Sequence, residues 1–296
     1  MTKRNTNPEA RPGHLVIIGG AEDKEEDKKI LQRFVDLCGG AKAKIAVMTA
    51  ASSVPAEVWS VYDGAFKALG VKGHFHVDLK TRHDGNKPEL VSGVLQADGI
   101  FMTGGDQKKL LATIGGTAID TAMHQAYRRR GAVIGGTSAG ASAMSGHMLA
   151  ESVRDNLPIK GGVYLGAGLG FLQRVIVDQH FSERQRLGRL LAVVAQNPYL
   201  FGIGIDENTA LVVEHGVSFE VIGEGAVTVV DGRDMSSNYD KVERSERLEL
   251  VNMKLHMFPT GSRYDVDDSK RPDDDPVSPL LQELIHILTN KDSASS

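Results

Sequence analysis

The sequence predicts a three-layer α/β fold built on a mostly parallel sheet, with an antiparallel extension toward the C-terminus. Three observations carry this expectation. From His14 to about Asp206, short apolar runs alternate with amphipathic stretches, which is the pattern of βα units around a parallel sheet. After Asp206 the runs are short, rich in branched residues and separated by Gly-containing turns, as antiparallel strands require. Finally, 296 residues, 41% of them hydrophobic, suffice for one large core without disulfides or metal.

The polar stretch 1–13 reads as a flexible tail with no apolar signal-peptide core. Residues 15–18, 45–48, 99–103, 132–134 and 175–177 read as buried strands. Between them, 23–37, 56–69 and 117–130 place apolar residues at helical spacing. Strands at 209–213, 219–222 and 226–230 supply the extension, packed on the same sheet, so that one catalytic domain covers 14–260. The acidic, Pro-containing stretch 261–278 is almost without large apolar residues and reads as a mobile linker. Beyond it, Leu280, Leu281, Leu284, Ile285 and Ile287 give an amphipathic helix that must dock, ending in a tail to residue 296.

Charge and cysteine content exclude several function classes. A net charge of -4 with both signs interspersed leaves no electrostatic footprint for nucleic acid or an anionic membrane. No segment has the uninterrupted apolar length to span a bilayer, so a cytoplasmic enzyme is expected. Cys38, the single cysteine, forms neither an internal bridge nor a metal cluster, and it reads as a small buried hydrophobe.

The strongest local signal is Gly136-Thr137-Ser138-Ala139-Gly140. It follows a strand and opens a helix, which is the context of a nucleophile elbow: only small neighbours pack in so sharp a turn, and the hydroxyl projects above the sheet. The same five residues would also describe a plain tight turn. The Ala139 N–H is the natural first donor to a developing oxyanion. A base is needed, and His180 lies at the C-terminal end of the 175–177 strand, where open α/β sheets place their ligands. His147 is the second candidate, facing solvent in or just past the helix after Ser138. Glu207, after the apolar run 200–205, is the best-placed carboxylate to hold the far ring nitrogen, its alternative being a solvated turn residue.

Thr103-Gly104-Gly105-Asp106-Gln107 is a second Gly-rich strand end. Its Gly105 or Asp106 N–H is positioned to complete an oxyanion hole, with Gln107 orienting substrate. The first strand end, Gly19-Gly20-Ala21-Glu22-Asp23, looks similar, and neither carries the G-x-G-x-x-G of a dinucleotide site, so no cofactor is expected. Arg184, Arg186 and Arg189 follow His180 directly and read either as a solvated face or as bidentate partners of substrate carboxylates. Arg128, Arg129 and Arg130 end a helix, where cations suit the dipole.

Together the elbow, Gly104-Gly105-Asp106-Gln107, Asp178-Gln179-His180-Phe181-Ser182-Glu183-Arg184 and Gly204-Ile205-Asp206-Glu207-Asn208-Thr209-Ala210 resemble the cyanophycinases. Those enzymes belong to the serine peptidase family that also holds aspartyl dipeptidase, with a fold related to class I glutamine amidotransferases. The resemblance runs from about residue 14 to 232. It implies hydrolysis of cyanophycin, a polyaspartate bearing arginine on each side-chain carboxyl, with release of β-aspartyl-arginine dipeptides. It also implies Ser138 as nucleophile, His180 as base, Glu207 as acid, and Gln107, Asp178, Gln179, Arg184, Arg186 and Arg189 as the substrate pocket of an enzyme expected to be a homodimer.

The aspartyl dipeptidase branch takes its acid from between the serine and the histidine, which here leaves Asp155 as fallback for Glu207, then Glu151, with Asn156 unable to neutralise the ring. A related aspartyl or isoaspartyl dipeptidase shares the same chemistry. A weakly active or noncatalytic homologue that binds cyanophycin or arginine-containing peptides is the other alternative, and a noncatalytic binder would keep the pocket and lose the triad geometry. A glutamine amidotransferase is disfavoured, because its elbow needs a cysteine and Cys38 lies far along the chain.

Overall fold

A computed structural model describes residues 12–266 and 279–289. The first half alternates β1 (His14–Ile18), α1 (Lys29–Leu37), β2 (Ile45–Met48), α2 (Pro55–Ala68), β3 (Phe75–Val77), α3 (Pro88–Gln96) and β4 (Gly99–Met102). Then come α4 (Gln107–Ile114), α5 (Ala118–Arg130), β5 (Val133–Thr137), the single turn α6 (Ala139–Ser142), and the hairpin β6 (His147–Ser152) and β7 (Val163–Ala167). The second half is β8 (Val175–Gln179), α7 (Leu187–Gln196), β9 (Phe201–Ile205), β10 (Thr209–Glu214), β11 (Ser218–Gly223) and β12 (Ala226–Asp231). Short β13 (Ser236–Ser237) and β14 (Leu250–Val251) precede β15 (Lys254–Pro259), β16 (Arg263–Asp265) and α8 (Pro279–Leu288).

The main sheet has eight strands in the order β16-β11-β10-β1-β5-β4-β2-β3. Its β1, β5, β4, β2 and β3 are parallel, while β10, β11 and β16 run antiparallel. Both faces of β1 are covered, which is why it reads as a continuous apolar run. Leu15 and Ile17 join the core under α3, α4 and α5, and Val16 and Ile18 join the one under α1 and α2. Cys38 is 8% exposed and packs in that second core, where burial pushes its thiol pKa up, in keeping with a structural role.

Three expectations change. The strands 175–177 and 226–230 do not lie in the main sheet: β8, β9, β12 and β15 form a separate four-stranded sheet. One face of that sheet, through Val175, Val177, Ile203, Ile205 and Val229, feeds the same core as the main sheet. Its other face is capped by α7 through Leu190, Val193 and Val194. Gly202 lets this happen, since a methyl there would stand 2.8 Å from Leu190 of α7, and Gly204 makes room in the same way for the Phe181 ring, 2.4 Å from where its methyl would be.

The helix expected over 23–37 starts only at Lys29. The Asp23 carboxylate accepts the backbone N–H of Glu25, Glu26 and Lys28, a local arrangement that competes with helix formation. The stretch 261–278, expected to be a linker, begins with β16, because Tyr264 stacks on Phe219 at 5.2 Å and Arg263 pairs with Glu220. Residues 267–278, with the tails 1–11 and 290–296, lie outside the described residues. Helix α8 buries Leu284, Ile285 and Ile287, the side chains of residues 279–282 lying outside those described, and Thr289 accepts the Gly216 N–H through its carbonyl.

Candidate active site

The C-terminal ends of β1, β4 and β5 in the main sheet meet the ends of β8 and β9 in the second. Ser138 sits between β5 and α6 with φ 51° and ψ −110°, a strained backbone that lifts its hydroxyl above the sheet. The turn requires small neighbours, as a methyl on Gly140 would lie 2.4 Å from the Met102 carbonyl oxygen. The Ser138 N–H donates to the Ile18 carbonyl and the His180 N–H to the Gly19 carbonyl, so the loop after β1 ties nucleophile and histidine together.

Strands β8 and β9 are parallel neighbours, with Gln179 opposite Ile205, which sets the residues that follow each side by side. His180 Nε2 stands 3.0 Å from Ser138 Oγ, and its Nδ1 stands 2.5 Å from Glu207 Oε1. The Glu207 N–H donates to Glu183 at 3.2 Å. Burial pulls the His180 pKa below the ordinary value of 6.5, with Arg184 and Arg186 pushing the same way and Glu207 opposing. At neutral pH the imidazole is therefore neutral and able to accept a proton.

On the other side of the serine, Gly105 has φ 142° and lies against Ala51, leaving no room for a side chain. Asp106 N–H donates to the Ala51 carbonyl at 2.9 Å and its carboxylate caps α4, so it is committed to the fold. Gln107 donates its side-chain N–H to the carbonyls of Leu149 and Ala150 on β6.

Asp178 is 1% exposed and takes a bidentate grip from Arg189. Arg189 also meets Asp155 at 3.1 Å, and Arg186 lies 3.6 Å from Asp178 and donates to both the backbone and side-chain oxygens of Gln179. These charges, read from the sequence as facing a substrate, are spent largely on one another, since charges survive burial only when paired. Gln179 Oε1 comes within 3.4 Å of Ser138 Oγ. Arg184 is exposed, with no carboxylate in ion-pair distance among the described residues. Asp155, held by Ser152, Arg186 and Arg189, does not reach His180. Glu151 pairs with Lys108 instead, and His147 lies exposed on β6, edge-on to Tyr199.

Sequence reasoning passed over Glu22 and Tyr62. Glu22 is 3% exposed and accepts hydroxyl hydrogen bonds from Tyr62 and from Thr137, the residue before the nucleophile. The glycine pair before Glu22 was a signal. Tyr62, in the middle of α2, had none.

A serine on a strained strand-to-helix turn, its hydroxyl on an imidazole whose far nitrogen meets a carboxylate, has the geometry that defines a serine hydrolase. The chain belongs to Peptidase family S51, whose model matches residues 15–221, and it is a serine peptidase. It is 40% identical over 251 residues to a cyanophycinase of Geminocystis herdmanii, covering 84% of this chain and 92% of that relative. It is 35% identical over 258 residues to a cyanophycinase of Nostoc sp., covering 87% of each. Among solved structures, a peptidase from an acI-B1 Actinobacterium shares the fold at a TM-score of 0.67 and 21% identity, covering 87% of this chain and 98% of that one. A putative peptidase E of Listeria monocytogenes does so at 0.50 and 19%, covering 71% and 97%. Among the described residues, no helix is long and apolar enough to cross a membrane.

Proposed function

We propose that the protein is a serine exopeptidase that hydrolyses cyanophycin to β-aspartyl-arginine dipeptides through an acyl-enzyme on Ser138. The Ser138–His180–Glu207 hydrogen-bonded chain, in a protein 35 to 40% identical to cyanophycinases over most of its length, carries this reading. His180 takes the Ser138 proton as the hydroxyl attacks the scissile carbonyl and returns it to the leaving amine, while Glu207 steadies the imidazolium. The N–H groups of Gly105 and Ala139 receive the oxyanion.

Of the substrate-binding set, exposed Arg184 makes the direct contact with a substrate carboxylate, and Gln107 and Gln179 orient the chain. Asp178, Arg186 and Arg189 act from behind, fixing Gln179 beside the serine. A cytoplasmic homodimer completes the reading. The deciding experiment is dipeptide release from cyanophycin by the wild type and by Ser138→Ala. The variant should bind the polymer and cleave it about a millionfold more slowly. Comparable release by both would remove the serine from the reaction.

A further inference from the structure

A cleft of about 240 Å³ opens beside Ser138, between the loop after β1 and helix α2, and Arg184 is not among its lining residues. Its lining includes Lys24, Val58, Val61 and Tyr62, together with Thr137 and Ser138. None of the first four has a part in the triad. Beneath them lies Glu22, whose side chain is 1% exposed. One of its oxygens takes the Tyr62 hydroxyl and the Lys24 ammonium, the latter at 3.2 Å, and the other takes the Thr137 hydroxyl at 2.5 Å. Three of the acceptor positions of Glu22 are thus taken by its neighbours, and its side chain is almost wholly buried.

Lys24 is what the cleft presents in its place. Its ammonium donates to the Glu22 backbone carbonyl at 2.8 Å and lies 5.4 Å from the centre of the Tyr62 ring, with 22% of the side chain exposed. An ammonium has three donors, and with two turned to Glu22 one is left for the cleft. Val61, 51% exposed, extends an apolar wall outward from it. The cleft thus offers one fixed cation beside an apolar wall and opens to solvent.

We infer that this cleft is a second substrate subsite, in which Lys24 binds a carboxylate whose aliphatic stem lies along Val58, Val61 and the Tyr62 ring. The inference rests on the proposed function and names the part of that substrate involved. Arginine joined to an aspartate side-chain carboxyl is linked through its α-amine. Each branch therefore keeps a free α-carboxylate on an aliphatic stem, and the opening of the cleft to solvent lets the guanidinium reach water.

The test uses two short β-aspartyl-arginine oligomers, one native and one whose arginine carboxylates are carboxamides. The wild type should prefer the native oligomer by about tenfold to a hundredfold in kcat/KM, the worth of one charge-assisted hydrogen bond. Lys24→Met should lose that preference, chiefly through a raised KM on the native oligomer, and Lys24→Arg should keep it. A Lys24 that merely supports Glu22 would slow both oligomers alike in Lys24→Met and leave the preference intact, which overturns the inference. Equal use of both oligomers by the wild type overturns the inference alone, whereas cleavage of neither overturns the cyanophycin reading together with it.

Discussion

A methyl group on Gly20 would stand 2.3 Å from Cε1 and 2.5 Å from Nε2 of His180. The imidazole thus packs directly against a backbone that must lack a side chain, at a φ of 105° that glycine alone adopts without strain. Gly20→Ala should push the ring off the serine. A displacement of about 1 Å is expected to lower kcat roughly a hundredfold while polymer binding holds. Unchanged turnover in this variant would show that the ring has another stable seat.

The carboxylate on His180 separates two arrangements by mutation. Glu207→Gln leaves the ring without an anion, and kcat should fall by about four orders of magnitude. Asp155→Asn touches no atom of the imidazole and should act on stability, because Asp155 is an anion for Arg186 and Arg189. Steady-state rates and thermal unfolding of both variants check this. A large loss of turnover in Asp155→Asn with little in Glu207→Gln would invert the assignment.

Why some of this was legible in the sequence and some was not follows from where each signal lies. Ser138 and His180 sit at strand ends with local cues, a run of small residues at one and a terminal position after a buried run at the other. By position alone Glu207 is no more distinctive than a solvated turn carboxylate, because its role depends on β8 and β9 pairing in register, which brings it to a histidine 27 residues away. The second sheet was not legible at all. Its strands β8 and β9 are as apolar as those of the main sheet, and the division arises only when Leu190 and Val194 of α7 close over Gly202. The inward pairing of the arginines was not legible for a related reason: Arg186 and Arg189 stand three apart, a spacing that sets two residues on one helical face without telling whether it meets solvent, substrate or, as here, the buried Asp178.

That inward pairing separates the arginines by experiment. Arg189→Ala strands the buried Asp178 carboxylate without its partner and should cost about 3 to 5 kcal/mol of stability. Arg184→Ala removes an exposed side chain and should leave unfolding unchanged while raising KM for the polymer by about tenfold or more. Denaturant unfolding with kinetics on each variant is the check. If Arg184→Ala has wild-type KM, that guanidinium does not meet the substrate.

The pH dependence of kcat/KM follows from the groups around His180. The reaction needs a neutral imidazole, and the folded protein holds its pKa below 6.5, so the acid limb of the profile should lie below that value. Burial is the largest cause and cannot be mutated cleanly, but two of the others can. Arg184 lowers the pKa, so Arg184→Ala should move the limb upward, toward 6.5. Glu207 raises it through its hydrogen bond and charge, so the residual activity of Glu207→Gln should show a limb moved further down. The same shift bears on stability with a defined sign. Unfolded His180 takes up a proton near 6.5 and the folded form resists it, so this contribution is fully present above 6.5 and is lost as pH falls through the folded value. A limb at or above 6.5 in the wild type, or one that moves the same way in both variants, would show that a group other than this imidazole controls the rate.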